Sequence, residues 1–152
     1  CIRDRVVIAG EAGAVEKACG ALKEAGARRA VMLKVSAPFH STLMEPAAKR
    51  LKEVLDTISI HDTLIPVFAN VNAKEETKAD EIRKNLVDQA AHAVHWEESV
   101  RNMIAGGVDC TVEVGPGTVL SGFMRKIDRS VTNLHAEDID TINEVVSTLK
   151  GE

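Results

Sequence analysis

Short apolar runs alternate along the chain with stretches of helical periodicity, the pattern of an α/β protein. Val6-Val7-Ile8-Ala9 is rich in β-branched residues and closes on Gly10, which predicts a strand. From Glu11 to Ala25, the residues Ala12, Val15, Ala18, Cys19, Leu22 and Ala25 recur at helical spacing, and Gly26 supplies a stop. Ala30 to Val35 predicts a second strand, so residues 1 to 35 read as one β-α-β unit. The turn Ser36-Ala37-Pro38-Phe39-His40-Ser41 interrupts the pattern. A helix follows with Met44, Ala47, Ala48, Leu51, Val54, Leu55 and Ile58 on one face. Ile65 to Val71 predicts a strand whose early Pro66 suits a strand start or an edge. Helices are predicted over Asp80 to Gln89 and Trp96 to Ala105, the latter stopped by Gly106-Gly107. Cys110 to Val114 predicts a short strand. Gly115-Pro116-Gly117 then turns into a helix bearing Val119, Leu120, Phe123, Met124 and Ile127. A strand over Val131 to Leu134 and a helix over Ile139 to Leu149 complete the pattern, with no internal repeat and no low-complexity linker.

Composition narrows the classes of function. The 152 residues suffice for one ordinary domain or part of a larger one, and with 45% hydrophobic and 28% charged residues they are globular rather than disordered. Three Phe, one Trp and no Tyr leave a core to be built from Ala, Val, Leu and Ile, and too few aromatic platforms to stack bases. A net charge of -4 has the wrong sign for a phosphate-backbone binder, so no nucleic-acid partner is expected. No apolar run approaches the roughly 20 residues that cross a bilayer, and nothing at the start resembles a signal peptide, so no membrane partner is expected either. Cys1, Cys19 and Cys110 are few, odd in number and widely spaced, which suits a reducing cytosol and a cytoplasmic protein. The first residue is Cys rather than Met, which suits an excised or processed piece.

Among the residues that can carry chemistry, His40 stands out. It sits in a Pro-containing turn between a predicted strand and a long helix, where a side chain projects at a strand's carboxyl end. An imidazole there can act as a general base near neutrality. A surface or capping His fits the same position, and spacing alone does not decide between them. His92 and His95 lie three apart, but no carboxylate or thiolate completes a ligand set, so no metal is expected. Gly115-Pro116-Gly117 lacks both the Lys-Ser/Thr of a P-loop and the spacing of a dinucleotide fingerprint, and reads as a tight strand-to-helix turn.

The stretch Lys34-Val35-Ser36-Ala37-Pro38-Phe39-His40-Ser41-Thr42-Leu43-Met44-Glu45-Pro46-Ala47 resembles the histidine motif of malonyl-CoA:acyl carrier protein transacylases. Ile65-Pro66-Val67-Phe68-Ala69-Asn70-Val71 and Val112-Glu113-Val114-Gly115-Pro116-Gly117-Thr118-Val119-Leu120-Ser121-Gly122 resemble further segments of that family, in the same order. The Val-Val-Ile-Ala-Gly opening and Val94-His95-Trp96 also fit. The resemblance runs over nearly the whole chain but covers only the C-terminal, His-bearing half of the family's domain. The family's serine nucleophile lies in a Gly-His-Ser-x-Gly elbow, and no Gly-x-Ser-x-Gly occurs here. The oxyanion-hole donors and the Arg that pairs with the malonyl carboxylate likewise belong to the other half.

The resemblance implies transfer of a malonyl group from malonyl-CoA to the phosphopantetheine thiol of acyl carrier protein, through a serine ester, in fatty acid biosynthesis. It implies no cofactor beyond the substrates, since phosphopantetheine is carried by the partner. His40 is the implied acid/base and the backbone carbonyl of Gln89 its implied orienting group, although Ala91-His92-Ala93 departs from the family's usual aromatic and proline stretch. Phe39, next to the His, goes with malonyl over methylmalonyl selection; packing in the core is the competing role. Arg28, Arg29 and Lys34 form a basic cluster that could steer the acidic carrier protein, or merely face solvent. The implied partners are malonyl-CoA, acyl carrier protein and the missing N-terminal half of the domain. Residues 1–36 are expected to belong to a ferredoxin-like small subdomain and residues 37–152 to a hydrolase-like α/β acyltransferase core. Cys1-Ile2-Arg3-Asp4-Arg5 stands where the family usually carries an Asn-x-Pro-Gly-Gln-like segment. Two other readings are a non-catalytic module that binds an acidic carrier protein through Arg28, Arg29 and Lys34, and a stand-alone hydrolase that pairs Ser36 or Ser41 with His40.

Overall fold

The computed structural model describes residues 5–151. These form two compact units, one over Val6–His95 and one from Trp96 onwards together with Arg5.

In the first unit, α1 (Ala12–Glu24) begins where Glu11 folds its carboxylate back onto the free N–H groups of Gly13 (3.1 Å) and Ala14 (2.9 Å). Those two donors favour the ionised acid and hold Glu11 below the usual carboxylate range. The flanking segments depart from the sequence expectation. Neither Val6–Ala9 nor Ala30–Val35 is paired as a strand, and Val6 and Val7 are 73% and 72% exposed. A β-rich run becomes a strand only against a ladder partner, and among the described residues no strand lies beside either run.

After the His40 turn, a 3₁₀ turn (Thr42–Met44) leads into α2 (Glu45–Leu55), whose Pro46 sits in the first turn, where no intrahelical N–H is required. The strand predicted over Ile65–Val71 contracts to β1 (Val67–Phe68), paired antiparallel with β2 (Glu75–Glu76), Val67 opposite Glu76 and Phe68 opposite Glu75. The hairpin turn carries Ala73, wholly buried at φ 56°, in the left-handed region that few non-glycine residues adopt. Helix α3 (Ala79–Asp88) starts where Asp62 accepts from the Ala79 N–H at 2.9 Å and pairs with Lys78 at 2.8 Å. Arg83 on α3 donates to the carbonyls of Leu55 and of Ile58 (2.9 Å for the latter), at the end of α2 and just beyond it. The residues of this unit that reach full burial are small or polar: Ala48, Ala69, Ala73, Glu76, Asn85 and Ala91.

The second unit follows the predicted pattern closely. Helix α4 (Trp96–Ala105), β3 (Cys110–Val114), α5 (Val119–Ile127), β4 (Thr132–Ala136) and α6 (Ile139–Lys150) follow one another. β3 and β4 pair in parallel, from Cys110 opposite Thr132 to Val114 opposite Ala136, so the chain needs α5 as its crossover. Val100, Met124, Ile127 and Val131 form the buried core, with Trp96 and Ile104 packed against it. A capping box starts α6: the Asp138 carboxylate accepts from the Thr141 N–H (2.8 Å), while Thr141 Oγ1 accepts from the Asp138 N–H (3.0 Å).

Candidate active site

The His40 turn is built by local hydrogen bonds. Ser41 Oγ donates to the Pro38 carbonyl at 2.7 Å, and the Met44 N–H donates to the Ser41 carbonyl at 2.9 Å. Between them His40 takes φ 61°, a left-handed backbone that costs about 1–2 kcal/mol for a residue with a Cβ. This conformation holds the imidazole in an exposed position with Nδ1 3.0 Å from the carbonyl oxygen of Gln89, 49 residues further along the chain. A carbonyl can only accept, so Nδ1 carries the proton, and neutral His40 keeps its lone pair on Nε2. That is the tautomer a general base needs when its Nε2 is to take a proton.

Gln89 is the residue just past the end of α3, and its own N–H donates to the Asn85 carbonyl at 3.0 Å. Asn85 and Glu76, which sequence reasoning missed, are buried beside it, and the Asn85 amide donates to the Glu76 carboxylate. A cavity of about 120 Å³ lies here, lined by Phe68, Asn70, Glu76, Ile82, Asn85 and Gln89 among others. A signal was present in the sequence: Ile82, Asn85, Leu86 and Gln89 share one helical face, so the polar Asn85 falls within an apolar stripe.

Phe39 precedes His40 and is 49% exposed, so its ring is not packed away in a core. Arg28, Arg29 and Lys34 are exposed in the stretch between α1 and the turn. The Ser41 hydroxyl is engaged with Pro38 and the His40 Nδ1 with Gln89, an arrangement that does not pair this serine with its neighbour. His92 turns its Nδ1 onto the Asp88 carbonyl at 2.7 Å, and among the described residues no group of three or more His, Cys, Asp or Glu is placed to hold a metal ion. No described helix is long and apolar enough to cross a membrane.

The Gly115-Pro116-Gly117 turn belongs to the second unit. Its donors are already taken: the Gly117 N–H by Glu137 (2.7 Å), and the Leu120 and Ser121 N–H groups by Glu113 (3.0 and 2.7 Å). The Ser121 side chain and the two N–H groups hold the Glu113 carboxyl below its usual range. Two protein carboxylates thus occupy the place where a phosphate loop would bind its ligand.

No family model matches the chain. It is 45% identical over 148 residues to the malonyl CoA-acyl carrier protein transacylase of Bacillus subtilis, an alignment covering 97% of this chain and 47% of that protein. The structure of a malonyl CoA-acyl carrier protein transacylase from Clostridium perfringens superposes with a TM-score of 0.87 at 39% identity, over 93% of this chain and 45% of that one. A malonyl-transacylase solved in complex with its type II PKS acyl-carrier protein gives a TM-score of 0.86 at 38% identity, over 94% and 45%. The chain therefore spans about half the length of the relatives it matches. Both sequence and fold align, over nearly all of this chain's residues, with about half of each of these malonyl CoA-acyl carrier protein transacylases.

Proposed function

We propose that this chain is the C-terminal, His-bearing half of an enzyme that moves a malonyl group from malonyl-CoA to the phosphopantetheine thiol of acyl carrier protein in fatty acid biosynthesis. The observation that carries the reading is the His40 Nδ1–H directed at the Gln89 carbonyl across 3.0 Å. With Nδ1 held, Nε2 takes the proton of a serine supplied by the other half as that oxygen attacks the thioester carbon. The imidazolium then returns the proton to the departing CoA sulfur, leaving a malonyl-serine ester. In the second half-reaction Nε2 takes the proton of the carrier thiol, which attacks the ester, and the proton passes back to the serine oxygen. The backbone carbonyl stabilises the imidazolium in both passes without being protonated itself. Phe39 limits the acyl group to an unbranched malonyl, and Arg28, Arg29 and Lys34 steer the acidic carrier. The setting is cytoplasmic, and no cofactor is needed beyond the substrates. In the complete protein residues 1–36 belong to the small ferredoxin-like subdomain and residues 37–152 to the acyltransferase core.

Two measurements test this. Mixed with malonyl-CoA, the chain alone should gain no malonyl mass, because it carries no nucleophile elbow; a stable adduct on any of its own serines would overturn the division of labour. In a full-length transacylase carrying this segment, His40→Ala should lower transfer by orders of magnitude, because base and nucleophile act as a unit. Retention of the parent rate would remove His40 from the chemistry.

A further inference from the structure

An imidazole is aimed only as firmly as the group that holds its Nδ1 proton. In this chain that group is the carbonyl just beyond a helix end, where a backbone tends to fray. The end of α3 carries no glycine in the left-handed conformation and no basic residue in its last turn; it runs on through tight turns, Ala90 N–H to the Val87 carbonyl and Ala91 N–H to the Asp88 carbonyl, both at 3.2 Å. His92 also closes on the Asp88 carbonyl there, and a further tie comes from a side chain one turn back. Asn85 is 8% exposed, and its amide donates to a Glu76 carboxylate that is 6% exposed on β2. A buried carboxylate is strongly unfavourable without donors, so Glu76 holds Asn85 as firmly as Asn85 satisfies Glu76, and the charge strengthens the bond. The backbone carbonyl of the same Asn85 accepts the Gln89 N–H at 3.0 Å. Three hydrogen bonds, joined by the covalent frames of Asn85 and Gln89, thus link Glu76 to His40.

We propose that Asn85, tied to Glu76, is a positioning residue for His40, acting through the Gln89 carbonyl. The proposal rests on the reading of His40 as the acid/base. It is the role of an outer group that orients an inner one: without the tie, the last turn of α3 and its carbonyl shift, and His40 loses the preference that places its lone pair on Nε2. Arg83, bound to the Leu55 and Ile58 carbonyls, braces the same helix at an earlier position.

The tautomer of His40 reads this directly. A full-length transacylase carrying this segment, labelled with ¹⁵N-histidine, is observed by two-bond ring correlation at a pH where the imidazole is neutral, and His40 is assigned from the spectrum that His40→Ala lacks. In the parent chain His40 is expected as the Nδ1–H form. Glu76→Ala lets water from the adjoining cavity reach Asn85, and the double variant Glu76→Leu with Asn85→Leu removes both polar partners together, so neither strands a buried charge. In either variant, with helical circular dichroism retained, His40 is expected to lose the Nδ1–H signal and become predominantly Nε2–H. Glu76→Gln keeps an acceptor for the Asn85 amide and is expected to keep the parent signal. Retention of Nδ1–H in folded Glu76→Ala, or its loss in Glu76→Gln, would overturn the positioning role while leaving His40 and Gln89 paired. Absence of Nδ1–H in the parent chain would overturn the reading of His40 and the positioning role together.

Discussion

Phe39 and His40 are adjacent, yet their surroundings give them different work. His40 is held at Nδ1 by Gln89, whereas the Phe39 ring is half exposed and so is available to meet an acyl group. In the proposed role, a rigid ring beside the reacting carbonyl would leave no room for an α-methyl branch, and one methyl in a pocket discriminates by about 1–3 kcal/mol. In a full-length transacylase carrying this segment, Phe39→Ser should raise methylmalonyl over malonyl transfer by roughly tenfold or more, read as the ratio of the two kcat/KM values. An unchanged ratio would reduce Phe39 to a packing residue. At this scale the sequence could name His40 and Phe39 through a motif but could not show the backbone at φ 61° that presents the imidazole. Nor could it pair Glu76 with Asn85. Burial of a carboxylate depends on which strand face meets the helix, and Glu75-Glu76 offers a candidate to both faces.

The elements were legible where a segment contains its own explanation. Helices α2 to α6 follow the 3.6-residue spacing of their apolar positions, and α4 and β3 begin and end where glycines and β-branched residues place them. The failures are pairing failures. Val6–Ala9 and Ala30–Val35 have strand composition without a ladder, and β2, two glutamates, has a ladder without strand composition. The Gly-Pro-Gly turn between β3 and α5 yields two predictions at this level. Gly115 sits at φ 126°, and a Cβ there would touch nothing within 4 Å, so Gly115→Ala should destabilise through backbone strain alone. The cost should be of order 1–3 kcal/mol, measured as a lowered midpoint in urea for a full-length transacylase carrying this segment. The second concerns acid. Glu11, Glu113, Asp128 and Asp138 are each held below the ordinary carboxylate range by local N–H and hydroxyl donors. A carboxyl that is more acidic when folded binds fewer protons than its unfolded form, so it adds stability above its unfolded pKa and loses it as pH falls through the folded one. The melting temperature of a full-length transacylase carrying this segment should therefore be level down to about pH 5 and drop progressively below it, and Glu113→Gln should make that drop shallower. A parent profile already flat between pH 5 and pH 3 would mean these ties contribute nothing to folding.

At the scale of the whole molecule, what matters is how much apolar surface each unit leaves in water. In the first unit the large side chains that its helices and flanking runs present stay exposed: Val31, Met32, Leu33 and Val35 before the His40 turn, Leu51 and Val54 on α2. Its hairpin pairs two residues with two, too little for independent stability. In the second unit a parallel pair of strands carries a small core of four buried residues, and a cavity of about 310 Å³ opens between α4, β3 and α5, lined by Val100, Met103, Leu120 and Met124. Parallel sheets are ordinarily covered on both faces, and unpaired β-rich segments with apolar side chains are templates for association. The relatives that this chain matches are about twice as long as the part it spans, which provides the kind of surface such faces are made to meet. We therefore expect the isolated 152-residue chain to self-associate or to melt broadly and without cooperativity. Supplied with the remaining half of a family member as a separate polypeptide, it should form a one-to-one complex that melts sharply. Sedimentation velocity with parallel thermal melts decides the matter. A monodisperse monomer with one cooperative transition would show that Ala-rich packing and two short sheets suffice, and that the exposed valines and leucines of the first unit need no partner.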